Sequence, residues 1–145
     1  MRYFGIIGYP LGHSFSPAYF NGKFQNLGIQ AEYLTYPIDH LDAFPELIKL
    51  KEFSGMNVTI PYKESIIPYL DALDISASEV GAVNTIKFDA GKTTGYNTDI
   101  WGFEQSLTNW IPDFRTLSGA LVLGSGGASK AVVYVLQRLR IPYLV

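Results

Sequence analysis

The sequence predicts an α/β protein whose mixed, mainly parallel sheet is flanked by helices, followed by the first strand, turn and helix of a second unit. Three observations carry this expectation. Apolar runs closed by glycine or proline alternate with segments of helical spacing, giving βαβαβ over the first 58 residues. A hairpin signal at Asp89-Ala90-Gly91 then brings antiparallel pairing into the sheet. Near the end, Ala120-Leu121-Val122-Leu123 leads through Gly124-Ser125-Gly126-Gly127-Ala128-Ser129 into an amphipathic run.

Residues 3–8 form an almost continuous apolar run, as in a parallel strand covered on both faces. Ser16-Pro17 starts a helix, with serine as N-cap and proline at the first helical position; Phe20, Phe24 and Leu27 share one face, and Gly28 is the stop. Residues 32–36 read as the second strand. Residues 41–50 read as a helix with Leu41, Phe44, Leu47 and Ile48 inward, and residues 53–58 as the third strand. A helix is expected from near Tyr62 through Ile66, Ile67 and Leu70, and another short helical stretch ending at Gly81. Strands follow at 84–88 and 92–96. From Asp99 the spacing of Ile100, Phe103, Leu107 and Trp110 is helical, and Pro112 marks its end. The boundary between the units falls near 111–116, dividing the chain into residues 1–112 and 113–145. Residues 120–123 read as a buried strand and 130–140 as a helix. Tyr143-Leu144-Val145 begins a second parallel strand, so the chain reads as a fragment of a longer protein with its last sheet half built.

Composition narrows the function classes. The 145 residues are 48% hydrophobic and 17% charged, as in a globular protein with a proper core. A net charge of −2 gives no electrostatic footprint for nucleic acid, and no basic amphipathic run suggests a membrane surface. The opening apolar run is too short for a signal peptide, and no stretch approaches the ~20 apolar residues of a membrane span. With no cysteine there is neither a disulfide framework nor thiolate chemistry, which fits a cytoplasmic protein. Two histidines, His13 and His40, leave no basis for a metal site.

Chemistry concentrates in Gly55-Met56-Asn57-Val58-Thr59-Ile60-Pro61-Tyr62-Lys63, a strand that breaks at proline and delivers an amide, a hydroxyl and an amine together. In a first helical turn, Lys63 would sit at the electropositive end, which favours the neutral amine and makes it a candidate general acid/base. The plain alternative is a surface lysine on a short helix. Gly12-His13-Ser14-Phe15-Ser16-Pro17 lies at the carboxyl end of the first strand, where open α/β sheets bind ligands, and two hydroxyls beside helix-opening amides can hold a carboxylate. Ser16 alone is accounted for as an N-cap; Ser14 is not. Asn84-Thr85 and Asn97-Thr98-Asp99 place short polar side chains at the ends of apolar stretches. Singly they read as turn and cap residues; together they offer partners for a polyol, and an aspartate near Lys63 would pair with its ammonium and orient it. At a helix start Asp99 would be a lasting anion rather than a proton donor. The turn Gly124, Ser125, Gly126, Gly127, Ala128 departs from the strict dinucleotide fingerprint because Ser129 stands where glycine or alanine is required, yet it sits between strand and helix as such a turn must. A ligand-free structural turn is the alternative.

Taken as a set, GYPLGHSFSP, GMNVTIPYK, GAVNT, GYNTD and GSGGAS resemble the shikimate dehydrogenase family in order and spacing, along the whole 145 residues. The resemblance implies an aminoacid dehydrogenase-like substrate domain followed by an incomplete Rossmann domain, and reversible NADPH-linked reduction of 3-dehydroshikimate to shikimate, a step of chorismate and aromatic amino acid biosynthesis. It implies Ser14 and Ser16 at the substrate carboxylate, Thr59, Asn84 and Asn57 at the other polar groups, Lys63 and Asp99 as the catalytic pair, and Gly124, Ser125, Gly126, Gly127 and Ala128 at the NADP pyrophosphate. Family members continue through the rest of the nucleotide domain, where the NADP 2′-phosphate is read, and return a C-terminal helix with a substrate-binding glutamine. A quinate/shikimate dehydrogenase using NAD and a truncated non-catalytic ligand-binding module are the two rival readings.

Overall fold

In a computed structural model of the chain, β1 (Arg2–Gly8) lies between β2 (Ala31–Pro37) and β3 (Phe53–Val58) and runs parallel to both. The structure describes residues 1–12, 14–111 and 113–145, with Arg115 described by its backbone. His13 and the helix end expected at Pro112 lie outside the described residues. The central place of β1 explains its composition, since Ile6 and Ile7 point to opposite faces and both are buried.

The sheet continues with β5 (Thr85–Asp89) antiparallel to β3, β6 (Lys92–Tyr96) antiparallel to β5, and a two-residue β4 (Ala72–Leu73) parallel to β6. The spatial order is β2-β1-β3-β5-β6-β4, a mixed and mainly parallel sheet as expected. Its main core lies on one face, where Ile7, Phe53, Met56, Val58 and Ile86 meet Phe44, Tyr62, Ile66, Ala77 and Val83. On the opposite face lies α1 (Ser16–Asn26). Phe20 stacks on Tyr33 with ring centroids 4.7 Å apart and Phe24 meets Phe4 at 5.4 Å. Asn21 fastens the helix to β2 by donating to the Tyr33 carbonyl and accepting from its amide, both at 2.9 Å. Leu27, expected on the inner face, is exposed.

Three helices differ from expectation, each for a local reason. The N-cap of α1 is Phe15, so Ser16 is the first helical residue and caps nothing with its side chain. The helix expected over 41–50 splits into a 3-10 turn (Leu41–Ala43) and a short α2 (Phe44–Leu47), because Pro45 has no N–H to continue the ladder. Its inward residues are nonetheless as expected, with Phe44 and Leu47 buried. The helix expected from Tyr62 is a series of turns followed by a 3-10 turn (Ile67–Tyr69), and Pro68 is the residue that denies it an α-ladder.

Asp74 caps α3 (Ile75–Val80), and Gly81, at φ 69°, ends it. A long α4 (Asp99–Trp110) follows β6. After a 3-10 turn (Phe114–Thr116) come β7 (Ala120–Leu121), α5 (Gly127–Arg138) and β8 (Tyr143–Leu144), with β7 and β8 parallel. The strand expected at 120–123 is therefore shorter and less covered, with Leu121 and Leu123 exposed. Among the described residues only β8 pairs with it, so one of its edges has no strand beside it. No helix among the described residues is long and apolar enough to cross a membrane.

Two aspartates, Asp71 exposed and Asp74 half-buried, fasten the β4–α3 segment. Asp71 accepts from the Thr93 amide at 2.7 Å and hydroxyl at 2.8 Å, and these bonds hold its carboxyl below the usual carboxylate range. Asp74 accepts from the Ser76 hydroxyl at 2.6 Å and amide at 2.9 Å, with the same effect. A carboxyl depressed on folding contributes stability that is present above its unfolded value, near pH ~4, and is lost as pH falls through the folded value. Urea unfolding should show stability flat between neutrality and pH ~5 and falling below ~4. Asp71→Asn and Asp74→Asn should each shrink that acid-side loss; an unchanged slope would contradict the assignment.

Candidate active site

Strand direction gathers the polar motifs at one end of the sheet. Because β1 and β3 are parallel, both carboxyl ends lie there; β5 runs against β3 and so begins there, and β6 runs against β5 and so ends there. Residues 59–63, Asn84 and the segment 97–99 thus meet at the carboxyl edge, where open α/β sheets bind ligands.

Lys63 reaches this edge from a turn rather than a helix, which removes the helix-terminus reason for favouring its neutral form. Its neighbours Tyr62 and Ile66 are buried in the main core, and the Tyr62 hydroxyl donates to the Ile38 carbonyl at 2.7 Å. The Lys63 carbonyl accepts from the Val83 amide at 2.7 Å. With its backbone fixed, Lys63 places Nζ 2.6 Å from Asp99 Oδ2. The lysine side chain is 15% exposed against 34% for the aspartate, so the amine is the more enclosed partner.

Asp99 is the first residue of α4, and its amide bonds Asn97 Oδ1 at 3.1 Å. Its second oxygen, Oδ1, accepts from Asn84 Nδ2 at 2.7 Å. Asn84 is buried, and its carboxamide is fully engaged: Nδ2 also donates to Thr98 Oγ1 at 2.9 Å, and Oδ1 accepts from the Thr98 amide at 2.9 Å and from Thr85 Oγ1 at 3.0 Å. Asn97, buried as well, donates to the Ala82 carbonyl at 2.9 Å. Carboxylate and amine therefore stand as a preorganised pair, the arrangement required to hold a hydroxyl and move its proton.

A second network lies beside the first. Asn57 Nδ2 donates to Thr85 Oγ1 at 3.2 Å and to the Asn84 carbonyl at 3.3 Å, while its Oδ1 accepts from the Tyr33 hydroxyl at 2.7 Å. Burial pushes the Tyr33 phenol up to about 12, against a smaller opposing effect of its hydrogen bond with the Ser16 side chain. Sequence reasoning missed Tyr33 as part of the site, and named Thr85 and Thr98 only within the segments Asn84-Thr85 and Asn97-Thr98-Asp99, without a role for either. Tyr33 alternates along β2 like any strand tyrosine and carries no signal of its own, whereas Thr85 and Thr98 directly follow the two asparagines that were singled out.

A cavity of about 960 Å³ lies between Thr59 and Lys63 on one side and Gly124, Gly126, Gly127 and Ala128 on the other. The backbone of Thr59 is held by its amide bond to the Ile7 carbonyl at 2.9 Å. The first amides of α5 have no partner within the helix, which suits this wall to an anion. Ser129, the departure from the fingerprint, turns its hydroxyl back on the Gly126 carbonyl at 2.7 Å. Ser125 lines a separate hollow with Glu79 and Gln137. Lys63, Asp99 and Asn84 are thus brought into one network, Asn57 and Tyr33 into the adjoining one with Ser16 near the Tyr33 phenol, and Thr59 and the glycines onto the cavity wall. Ser14 is half-buried in the loop after β1, its amide bonded to the Leu11 carbonyl at 3.3 Å, and joins neither network. Among the described residues no group of three histidine, aspartate or glutamate side chains stands close enough to hold a metal.

Asn84→Ala would strand the Thr98 amide and one oxygen of Asp99. It should destabilise the protein by about 1–3 kcal/mol in chemical denaturation; no loss would remove the bracing role. In an absorbance titration Tyr33 should ionise last among the tyrosines, near the limit of the folded state, and Ser16→Ala should raise it further.

Residues 6–86, more than half of the chain, match the family model of the shikimate dehydrogenase substrate binding domain. The shikimate dehydrogenase (NADP(+)) of Aquifex aeolicus is 47% identical over 137 residues, covering 93% of this chain and 51% of that protein. Its counterpart from Halothermothrix orenii is 48% identical over 136 residues, covering 92% and 47%. Among solved structures, the shikimate 5-dehydrogenase of Thermus thermophilus in complex with NADP(H) and shikimate superposes with a TM-score of 0.86 at 34% identity, over 99% of this chain and 54% of that one. The chain spans about half the length of the relatives it matches. With a model match over most of its length, relatives near 50% identity and the same fold, the chain belongs to the shikimate dehydrogenase family.

Proposed function

We propose that this chain is the substrate half, and the opening of the nucleotide half, of a cytoplasmic NADP-dependent shikimate dehydrogenase, an oxidoreductase acting on a CH–OH group in chorismate biosynthesis. Residues 1–112 form its shikimate-binding catalytic domain and residues 113–145 begin its Rossmann domain. The observation that carries the reading is the Lys63–Asp99 pair, 2.6 Å apart beside a cavity whose far wall is a glycine turn opening a helix. The NADP(+)-named relatives and the shikimate-bound neighbour support the choice of cofactor and substrate.

The glycine turn fits a dinucleotide: Gly124 at φ 120° bends the chain, and the open amides of α5 face the same cavity as Lys63. Gly124, Ser125, Gly126, Gly127 and Ala128 hold the pyrophosphate, Ser125 through its backbone. NADP, when bound, exchanges the hydride with the ring carbon that carries the hydroxyl. The chain's own residues manage the proton. In the oxidation direction Lys63 Nζ takes the hydroxyl proton as the C–H bond breaks, and in the reduction direction it returns that proton to the forming alkoxide. Asp99, fixed through both oxygens, orients the amine and the hydroxyl. Ser14 and Ser16 hold the substrate carboxylate, and Thr59 and Asn84 its other polar groups. Asn57 joins them from the adjoining network, where it also braces Asn84 and Thr85.

Steady-state reduction of NADP by shikimate in the complete enzyme tests this. Lys63→Ala should cut kcat by roughly 10²–10⁴ with little change in the shikimate KM. Asp99→Asn should lower kcat more than it raises KM. Turnover unchanged by Lys63→Ala would refute the proton-transfer role.

A further inference from the structure

We propose that Gly127, at the start of the helix on the nucleotide side of the cavity, is a positioning residue for Lys63: the absence of a side chain there makes room for the lysine's aliphatic stem. The inference rests on Lys63 being the proton-transfer residue proposed above. A Cβ built on Gly127 would lie 2.8 Å from Lys63 Cβ, 3.1 Å from Ala82 Cβ and 3.3 Å from Lys63 Cδ. Carbon atoms pack at about 3.5–4.0 Å, so the closest of these contacts cannot be accommodated as it stands. The other glycines of the turn are under no such constraint: a Cβ on Gly126 would meet nothing within 4 Å, and one on Gly124 only the Ser129 hydroxyl at 3.9 Å.

Neither side of the contact can easily give way. Lys63 Cβ is bonded to a backbone pinned by the Val83 amide and anchored by Tyr62 and Ile66 in the core. The helix is pinned as well. Lys130, Tyr134 and Arg138, four residues apart on one stripe of α5, bond Glu64, Glu79 and Glu104 respectively, with Lys130 Nζ 2.5 Å from Glu64 and Arg138 Nη2 2.7 Å from Glu104 Oε1. Beneath that stripe, Ala131 and Val135 pack against Val80, Ala82 and Ile100. The Lys130–Glu64 bond sits one residue from Lys63 and one helical turn from Gly127, so it clamps the contact. A methyl group at 127 would push the lysine stem off its path and pull Nζ from Asp99, while the turn's amides could still face the cavity.

The test has a readout that does not need the cofactor. In the complete apoenzyme, labelling of Lys63 by an amine-reactive sulfonate, followed by peptide mass spectrometry, should be slow in the wild type, where the side chain is 15% exposed, and several-fold faster in Gly127→Ala. In turnover, Gly127→Ala should lower kcat by about 10- to 100-fold and shift its pH profile, with a smaller change in the NADP KM. Lys130→Met, which removes the clamp without adding bulk near Lys63, should move labelling and pH profile the same way by less, and carries the test if Gly127→Ala does not fold. Unchanged Lys63 labelling, or a rise in NADP KM alone with kcat and pH profile intact, would overturn the inference and leave Gly127 a nucleotide contact only. If labelling responds as expected but the wild-type enzyme does not oxidise shikimate, the positioning stands and the assigned reaction falls.

Discussion

Two donors converge on one carboxylate: Lys63 Nζ on Oδ2 of Asp99 and Asn84 Nδ2 on Oδ1. Much of the fold can be understood as the means of keeping those three side chains together. Each comes from a different segment, and none could be held by its own segment alone. Lys63 relies on the buried side chains of Tyr62 and Ile66 and on the Val83 amide; Asp99 relies on the start of α4 and on Asn97; Asn84 relies on the β5–β6 hairpin. A buried carboxamide suits the centre of such a network because it donates and accepts at once.

The elements most readable from the sequence are those whose form is set by local pattern. The third strand, Phe53–Val58, the end of α3 at Gly81 and the start of α4 at Asp99 all stand where apolar spacing and a terminator agree. The helices misread over 41–50 and from Tyr62 share one cause, a proline inside a run whose apolar spacing looks helical. Ile66, Ile67 and Leu70 are spaced for a helix face, but Pro68 supplies no N–H; Pro45 does the same within 41–50. At α1 the Ser16-Pro17 pair was a true start signal set one residue late, since the proline occupies the second helical position rather than the first. The two-residue β4 has no pattern of its own and exists because Gly95 and its neighbours on β6 offer an edge to pair with.

The site divides in the same way. Lys63, Asn84 and Asp99 stand out because polar residues end apolar stretches there, and strand direction then brings them together. The Tyr33–Asn57 bond joins side chains from β2 and β3 and depends on sheet order, with β2 two strands from β3 across β1. No local pattern encodes that order. The same is true of Gly127, which reads in the sequence as one member of a phosphate turn, and whose contact with Lys63 spans 64 positions of the chain.

The hairpin that carries Asn84 also makes the site intolerant of slippage between strands. Asn57 faces Thr85, and Thr85 faces Tyr96, so Asn84 emerges one step before the ladder begins and Asn97 one step after it ends. Side chains alternate faces along a strand, so a shift of one residue in either pairing would carry Asn84 to the other face of the sheet, away from Asp99, and would turn Ile86 out of the core in the same movement. Apolar burial therefore proofreads the polar site: the alignment that hides Ile86 is the alignment that delivers Asn84 to the carboxylate.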